Sequence, residues 1–354
     1  MRVLQITDGL EVGGVERVVV NLASSLTRNV ARSGVLAHPG GPLWRELPKE
    51  VLRYEASPRT SLLGKIQYTL TLRKIIKNDR WNVLHCHQRG VALLAVLASV
   101  GTDAKVVEHV HNMFRGESRM KRLVSFRGTR LIACGSAMAS MLVKDYGRKP
   151  SSVTTVLNAV NASEAGPVGV PPSATGARPR ILGIGRLTEQ KDPLRFLETI
   201  RCINREEHFV DAEWVGDGEL RTSLEDRLQM QPIRGFSLSG ASDQVGVKLR
   251  ESDVLLLTSR WEGLPLVLLE ALSAGRGVVA PDIGSCRDAV ISGGNGILYP
   301  PDATPQEIAA ILVAAVLEQS FVSWGDNSKA RSSEIGEFAR FRDEVIAVYN
   351  QVRS

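Results

Sequence analysis

Disulfide and zinc-ribbon patterns are missing from this 354-residue chain: its four cysteines, Cys86, Cys134, Cys202 and Cys286, stand far apart and no C-x-x-C occurs. Isolated thiols of this kind read as small buried residues in a reducing compartment. Aromatic residues make up only 5%, and no RNP-like or helix-turn-helix pattern accompanies the basic residues, which argues against nucleic acid as a partner. Long hydrophobic runs are also missing. The longest, Gly90 to Gly101, has 12 residues, against the roughly 20 that a membrane-spanning helix needs. The opening MRVLQIT reads as a buried strand rather than a leader. No repeat of roughly 20–50 residues is visible, which excludes solenoids.

What is present is ordinary for a folded protein: 43% hydrophobic and 23% charged residues. The length exceeds the roughly 250–300 residues at which a single core stops growing, so two domains are expected. The net charge of +6 conceals an asymmetry. Residues 1–165 carry 24 Lys and Arg against 12 Asp and Glu, a net +12, and residues 166–354 carry 20 against 26, a net −6. A basic half beside an acidic half points to an anionic partner for the first.

Short β-rich runs alternate with helical patterns through the first half: RVLQIT, a helix from about Val15 to Arg28, WNVLHCH, GVALLAVLAS, AKVVEHVH, TRLIACG, a helix after Ser136, and SVTTVLN. Such alternation calls for a parallel sheet covered on both faces. EAGPVGVPPSATGARPR then supplies a linker. The alternation restarts with RILGIG, DAEWVGDG, RGFSLSG, SDVLLLTS, RGVVAPD and GNGILYP. The expected architecture is α/β: a Rossmann-like domain over 1–165, a linker at 166–179, a second Rossmann-like domain over 180–335, and a C-terminal helix over 336–354 packing back on the first. Ligands of such sheets bind at the carboxyl ends of the strands, here in the cleft between the domains.

SRWEGLPLVLLEALSAG, Ser259 to Gly275, is the most informative stretch. It predicts a helix from Pro265 to Ala274 that is apolar on every face except for Glu270. Its N-terminus offers the backbone N–H groups of Gly263, Leu264, Leu266 and Val267 to an anion. Helical side chains lean toward the N-terminus, so Glu270 and the loop residue Glu262 would flank that anion. Carboxylates repel phosphate, so each would accept from neutral hydroxyls beside it. ILGIGRLTEQKDP adds a glycine turn at Gly183 and Gly185, then Arg186 and Lys191 as counter-charges for a diphosphate. In the first domain, Gly13 and Gly14 precede a helix without forming G-x-G-x-x-G; they either turn the chain or admit a diphosphate closely. Two histidine pairs, His85/His87 and His109/His111, end predicted strands, each pair on one face. No third ligand set with metal-like spacing accompanies them, so no metal site is expected, and His111 is read as lining the cleft.

These motifs, with GGVER, VHNMF, ACGSAM, VLNAVN, WVGDGEL and NGILYP, run nearly the length of the chain. The chain resembles a family 4 glycosyltransferase of the GT-B fold, a group of retaining enzymes that use nucleotide-activated sugars. The resemblance implies that Glu270 binds the donor ribose, Glu262 contacts the transferred sugar, Arg186 and Lys191 stabilise the departing diphosphate, His111 stands near the sugar, and Gly14 lies close to the phosphates. Catalytic roles then fall to His111, Arg186, Lys191 and Glu262, and donor contacts to Gly13, Gly14, Gly185, Gly263, Leu264, Leu266 and Glu270 as well. It also implies that no cofactor or metal is needed, the leaving phosphate itself taking the acceptor's proton. Two local departures stand out: GRGVV at Gly275 to Val279 where the family reads GxPVV, and Asp288 after GSCR where a glutamate is common.

A nucleoside-diphosphate sugar is the expected co-substrate, UDP ahead of GDP, and a glycan or lipid-linked molecule of cell-surface polysaccharide synthesis the expected acceptor. Phe114 to Arg130 interleaves Arg115, Arg119, Lys121, Arg122, Arg127 and Arg130 with Met120, Leu123, Val124 and Phe126, which suits peripheral contact with an anionic membrane. The expected location is therefore the cytoplasm, at the inner face of its membrane. Two other readings fit the same scaffold, a nucleotide-sugar 2-epimerase and a sugar-nucleotide binder without transfer activity.

Overall fold

The structure is a computed structural model that describes residues 1–57, 61–114, 116–161, 171–205 and 209–353. It divides into two units, one of Met1–Asn158 with Ala339–Ser354 and one of Ala159–Phe338. Part of the expected linker, 166–170, lies outside the described residues.

Among the described residues the first unit holds seven strands: β1 (Arg2–Ile6), β2 (Arg32–Ala37), β3 (Leu52–Glu55), β4 (Val83–Cys86), β5 (Lys105–Val110), β6 (Arg130–Ala133) and β7 (Val153–Thr155). Their order is 3-2-1-4-5-6-7 and every pair is parallel. Both faces are covered, which is why the strands read as nearly unbroken apolar runs. On one face Leu4, Ile6, Leu84 and Val106 pack with Tyr68, Leu72 and Ile76 of helix Leu62–Asp79 and with Val91, Ala95 and Ala98 of helix Arg89–Ser99. On the other, Val19, Val20 and Ala23 of helix Gly14–Leu26 meet Val35 and Ala37. Ser61 caps the longer helix by accepting from Gly64 N–H at 3.1 Å. The last helix, Phe338–Gln351, brings Phe341 and Tyr349 against this unit's histidines.

Among the described residues the second unit holds a six-stranded parallel sheet, order 10-9-8-11-12-13, made of β8 (Arg180–Ile184), β9 (Asp211–Val215), β10 (Phe236–Gly240), β11 (Val254–Leu256), β12 (Gly277–Pro281) and β13 (Gly296–Tyr299). Phe196, Leu197, Ile200, Trp214, Leu256 and Tyr299 form the centre of its core. Helix Pro305–Leu317 opens with a full capping box, Thr304 and Glu307 each serving the other's backbone.

The helix expected over Pro265 to Ala274 spans Leu266–Ser273. Pro265 is its N-cap, with extended ψ of 129°, rather than its first residue, and Gly275 follows the C-cap Ala274 in the left-handed region, φ +67°. The departure from GxPVV falls at Gly277, where a Cβ would come within 2.7 Å of the Trp324 ring, so glycine makes room for that ring; the neighbouring Arg276 is anchored separately. Its guanidinium is fully buried and donates to the carbonyls of Leu249, Arg250 and Gly275 at 3.0, 2.7 and 3.2 Å, closing the end of helix Val245–Arg250.

Candidate functional site

In the second unit, two loops at the carboxyl ends of β8 and β11 are stitched together. β8 ends at Gly185, whose N–H donates to Val215 O at 3.0 Å and whose carbonyl accepts from Trp214 Nε1 at 3.1 Å. The next loop, through Gly216, comes so near that a Cβ there would sit 1.9 Å from Gly185 O, so only glycine fits. Arg186 is exposed in the turn. Further on, Thr258 Oγ1, just past β11, points its hydroxyl at the carbonyls of Lys191 and Asp192, 3.0 and 2.9 Å away. Arg260 N–H donates to Gln190 O at 2.8 Å, Gln190 Nε2 to Trp261 O at 3.0 Å, and the Arg260 guanidinium pairs with Asp192 and Glu189.

This stitching sets Lys191 Nζ 2.5 Å from Glu262 Oε1, with the two side chains 17% and 6% exposed. Gly284 presses on the far side of the Glu262 loop. At φ +52°, a Cβ on it would lie 2.2 Å from Glu262 O, and Ser285 N–H donates to Gly263 O at 2.9 Å. The GSCR segment that departs from the resemblance just beyond, at Asp288, thus supports the loop through its glycine and serine. Cys286 behind it is buried; burial, reinforced by the Glu262 carboxylate, pushes its thiol well above the usual range.

From Glu262 the chain runs through Gly263 and Leu264, both buried, into helix Leu266–Ser273. Its first-turn N–H groups lack intrahelical acceptors. Leu268, Leu269, Ala271 and Leu272 are buried and Glu270 is half-buried. An anion at this tip would meet helix N–H groups and Lys191 together. Sequence reasoning passed over Asp192, Thr258 and Arg260, which position the pair. The signal for Asp192 was Asp-Pro: it accepts from Arg195 N–H as the N-cap of helix Pro193–Ile203.

Gly13, Gly14 and His111 belong to the first unit. Gly13 is the extended N-cap of helix Gly14–Leu26, and Glu16 of the first turn folds over it, within 2.3 Å of where a Cβ would be. His111 is buried and its Nε2 lies 3.0 Å from His87 Nδ1, while His87 Nε2 lies 2.7 Å from Gln5 Oε1. The Gln5 oxygen only accepts, so His87 carries its proton on Nε2 and receives one from His111 Nε2. Burial holds His85 and His111 down to about 3, and His87 and His109 well below the usual imidazole range, so all four rings are neutral. Gln5 was the legible hint here, a polar residue inside an apolar strand; Tyr349, 2.6 Å from His85 Nδ1, gave none.

Residues 12–164 match the family described as Glycosyltransferase Family 4 and residues 178–317 that described as Glycosyl transferases group 1. An Escherichia coli UDP-Gal:alpha-D-GlcNAc-diphosphoundecaprenol alpha-1,3-galactosyltransferase is 26% identical over 298 residues, 76% of each chain. A Campylobacter jejuni alpha-1,4-N-acetyl-D-galactosaminyltransferase, named for a PP-undecaprenol-linked acceptor, is 28% identical over 285 residues, 77% of each. The crystal structure of Anabaena HepE in complex with UDP superposes with a TM-score of 0.84 at 17% identity, covering 99% of this chain and 100% of that one.

Proposed function

The chain belongs to the family 4 glycosyltransferases of the GT-B fold, and we propose that it is a retaining hexosyltransferase acting from a nucleoside-diphosphate sugar onto a glycan or lipid-linked acceptor. The observation that carries this reading is Lys191 and Glu262 held together beside the tip of helix Leu266–Ser273. The helix tip and the Lys191 and Arg186 cations receive the diphosphate, Glu270 the ribose hydroxyls, and Glu262 a hydroxyl of the sugar. As the anomeric carbon to phosphate bond breaks, its electron pair goes to the phosphate oxygen. The acceptor hydroxyl attacks on the same face and its proton passes to that oxygen. Cations and N–H groups fixed in advance stabilise the developing negative charge, each good donor by roughly 3–4 kcal/mol. Because the chain's own cations meet this charge, donor handling needs no metal.

UDP is the favoured nucleotide: the E. coli relative is named for UDP-Gal and HepE was crystallised with UDP. Both curated relatives are named for undecaprenol-linked acceptors, which supports a lipid-linked acceptor in cell-surface polysaccharide or glycolipid synthesis. Our reading includes contact with an anionic membrane surface on the cytoplasmic side, and exposed residues of the first unit support it. Met120, Leu123 and Val124 of helix Arg119–Val124 are exposed beside Arg119 and Lys121, as are Leu62, Leu63, Ile66 and Leu70. Arg115 of this basic stretch lies outside the described residues. Among the described residues no single helix is long and apolar enough to cross a membrane.

The test is a thermal-shift screen of UDP, GDP, ADP and their sugars, followed by transfer to an undecaprenyl-diphosphate sugar and assignment of the product's anomeric configuration by NMR. UDP should raise the melting temperature, since a ligand of the folded state alone stabilises it, and the new linkage should keep the donor's configuration. No response to any nucleotide, or an inverted linkage, defeats the reading; epimerised sugar from donor alone would make it an epimerase.

A further inference from the structure

The two histidine pairs, 24 residues apart along the chain, meet on one face of the first sheet. β4 and β5 are parallel with His85 opposite Val107 and Cys86 opposite Glu108, so alternation sends His85, His87, His109 and His111 to the same side. Ring centroids of His85 and His109 lie 5.3 Å apart and those of His109 and His111 4.0 Å. One candidate ligand atom from each of His85, His87 and His109 lies within 4.8 Å of the other two. All three rings are buried. Three of their nitrogens, His85 Nε2 and both of His109, have no hydrogen-bond partner. A buried polar group left in that state costs about 1–3 kcal/mol, which a ligand bound to these nitrogens would relieve.

We propose that His85, His87 and His109 bind a divalent transition-metal ion of the zinc type. Neutral imidazoles are the ligands such ions prefer, and three of them with one open position is a stable zinc coordination set. The outer contacts that orient metal-bound histidines are in place. Tyr349 Oη holds His85 through Nδ1, leaving Nε2 for the ion, and Gln5 Oε1 holds His87 through Nε2, leaving Nδ1, which exchanges its contact with His111 for the ion. Zn–N bonds of about 2.0–2.1 Å put tetrahedral ligands about 3.3 Å apart, so the rings draw inward by side-chain rotation and water takes the fourth position. The ion staples β4 to β5 and, through Tyr349, the C-terminal helix to both. Its ligands belong to the first unit, Arg186 and Lys191 to the second, and the proposal does not depend on the transfer reading.

The full chain, stripped with a chelator and dialysed, is titrated with Zn²⁺ and with Co²⁺ alone. Saturable uptake of one ion per chain, a raised melting temperature and the visible absorption of tetrahedral Co²⁺ are expected. His109→Gln should lose uptake, Tyr349→Phe should weaken it by about 10- to 100-fold, and His38→Ala, at an exposed histidine, should leave it unchanged. Should the variants not fold, X-ray absorption of the zinc-loaded wild-type chain decides: a nitrogen and oxygen shell with imidazole scattering supports the site, and sulfur in the shell overturns it. No uptake by the stripped chain, or undiminished uptake by folded His109→Gln, also overturns it; water then fills the face.

Discussion

Lys191 Nζ and Glu262 Oε1 are 2.5 Å apart although 71 residues separate them in sequence, and each comes from a loop that follows a different strand. The pair is mostly shielded from water, so the two residues should not behave independently. A double-mutant cycle of Lys191→Ala and Glu262→Ala, read by denaturant unfolding, should give a coupling energy of about 1–3 kcal/mol. In the transfer assay, Lys191→Ala alone should lower kcat about 100- to 1,000-fold with the circular dichroism spectrum retained. Near-normal turnover would remove the diphosphate assignment.

Glu270 lies one helical turn and more behind the tip of its helix and is half-buried. If it accepts from ribose hydroxyls, Glu270→Gln should weaken UDP by roughly tenfold, the loss of a hydrogen bond to a charged group, and leave inorganic pyrophosphate affinity unchanged. Calorimetric titration of both ligands checks this, and equal losses would place the residue on the phosphates instead.

If Arg186 and Lys191 hold the diphosphate as proposed, no metal is needed to bind it. UDP affinity should therefore be the same in EDTA as in Mg²⁺. Affinity, not turnover, is the quantity to compare, because the proposed diphosphate cations lie in the second unit and the histidines that a chelator could affect lie in the first. A large loss in EDTA would mean that Arg186 and Lys191 do not suffice.

Gly216 has no room for a side chain against Gly185 O, whereas a Cβ on Gly90, in helix Arg89–Ser99, would meet nothing within 4 Å. Gly216→Ala should cost about 1–3 kcal/mol of stability and displace the turn that carries Arg186, weakening UDP. Gly90→Ala should stabilise by about 0.4–1 kcal/mol. Thermal melting of the two variants side by side tests the packing of the turn.

Arg276 reaches three carbonyls from a fully buried position. Arg276→Leu strands them, and a loss of about 3 kcal/mol is expected from urea unfolding, with UDP affinity of the folded fraction unchanged. A neutral effect would show that water reaches those carbonyls.

Much of this was legible in the sequence, for identifiable reasons. Among the described strands of the second unit, RILGI, VLL, GVVAP and GILY are short apolar runs closed by glycine, proline or polar residues, the pattern that a doubly covered parallel strand imposes, whereas DAEWV and the edge strand FSLSG alternate with polar residues. β2 and β3 were not legible: RSGVLA begins with polar residues and glycine, and LRYE is an edge strand with Leu52, Arg53 and Glu55 exposed. Lys191 and Glu262 could be proposed as neighbours because each lies in a short motif after a strand, and the structure pairs them; Gly13 and Gly14 lie in the other unit. The meeting of the four histidines could not be read. No metal site was expected because spacing along the chain was the only guide, and the register of β4 against β5, which unites His85, His87 and His109, is a tertiary property.

The last helix belongs by contact to the first unit, yet every residue of the second is translated before it. The hydroxyl that Tyr349 offers to His85 therefore arrives late in synthesis. Until then the histidines lack their Phe341 and Tyr349 contacts, so completion of the first unit waits on synthesis of the second.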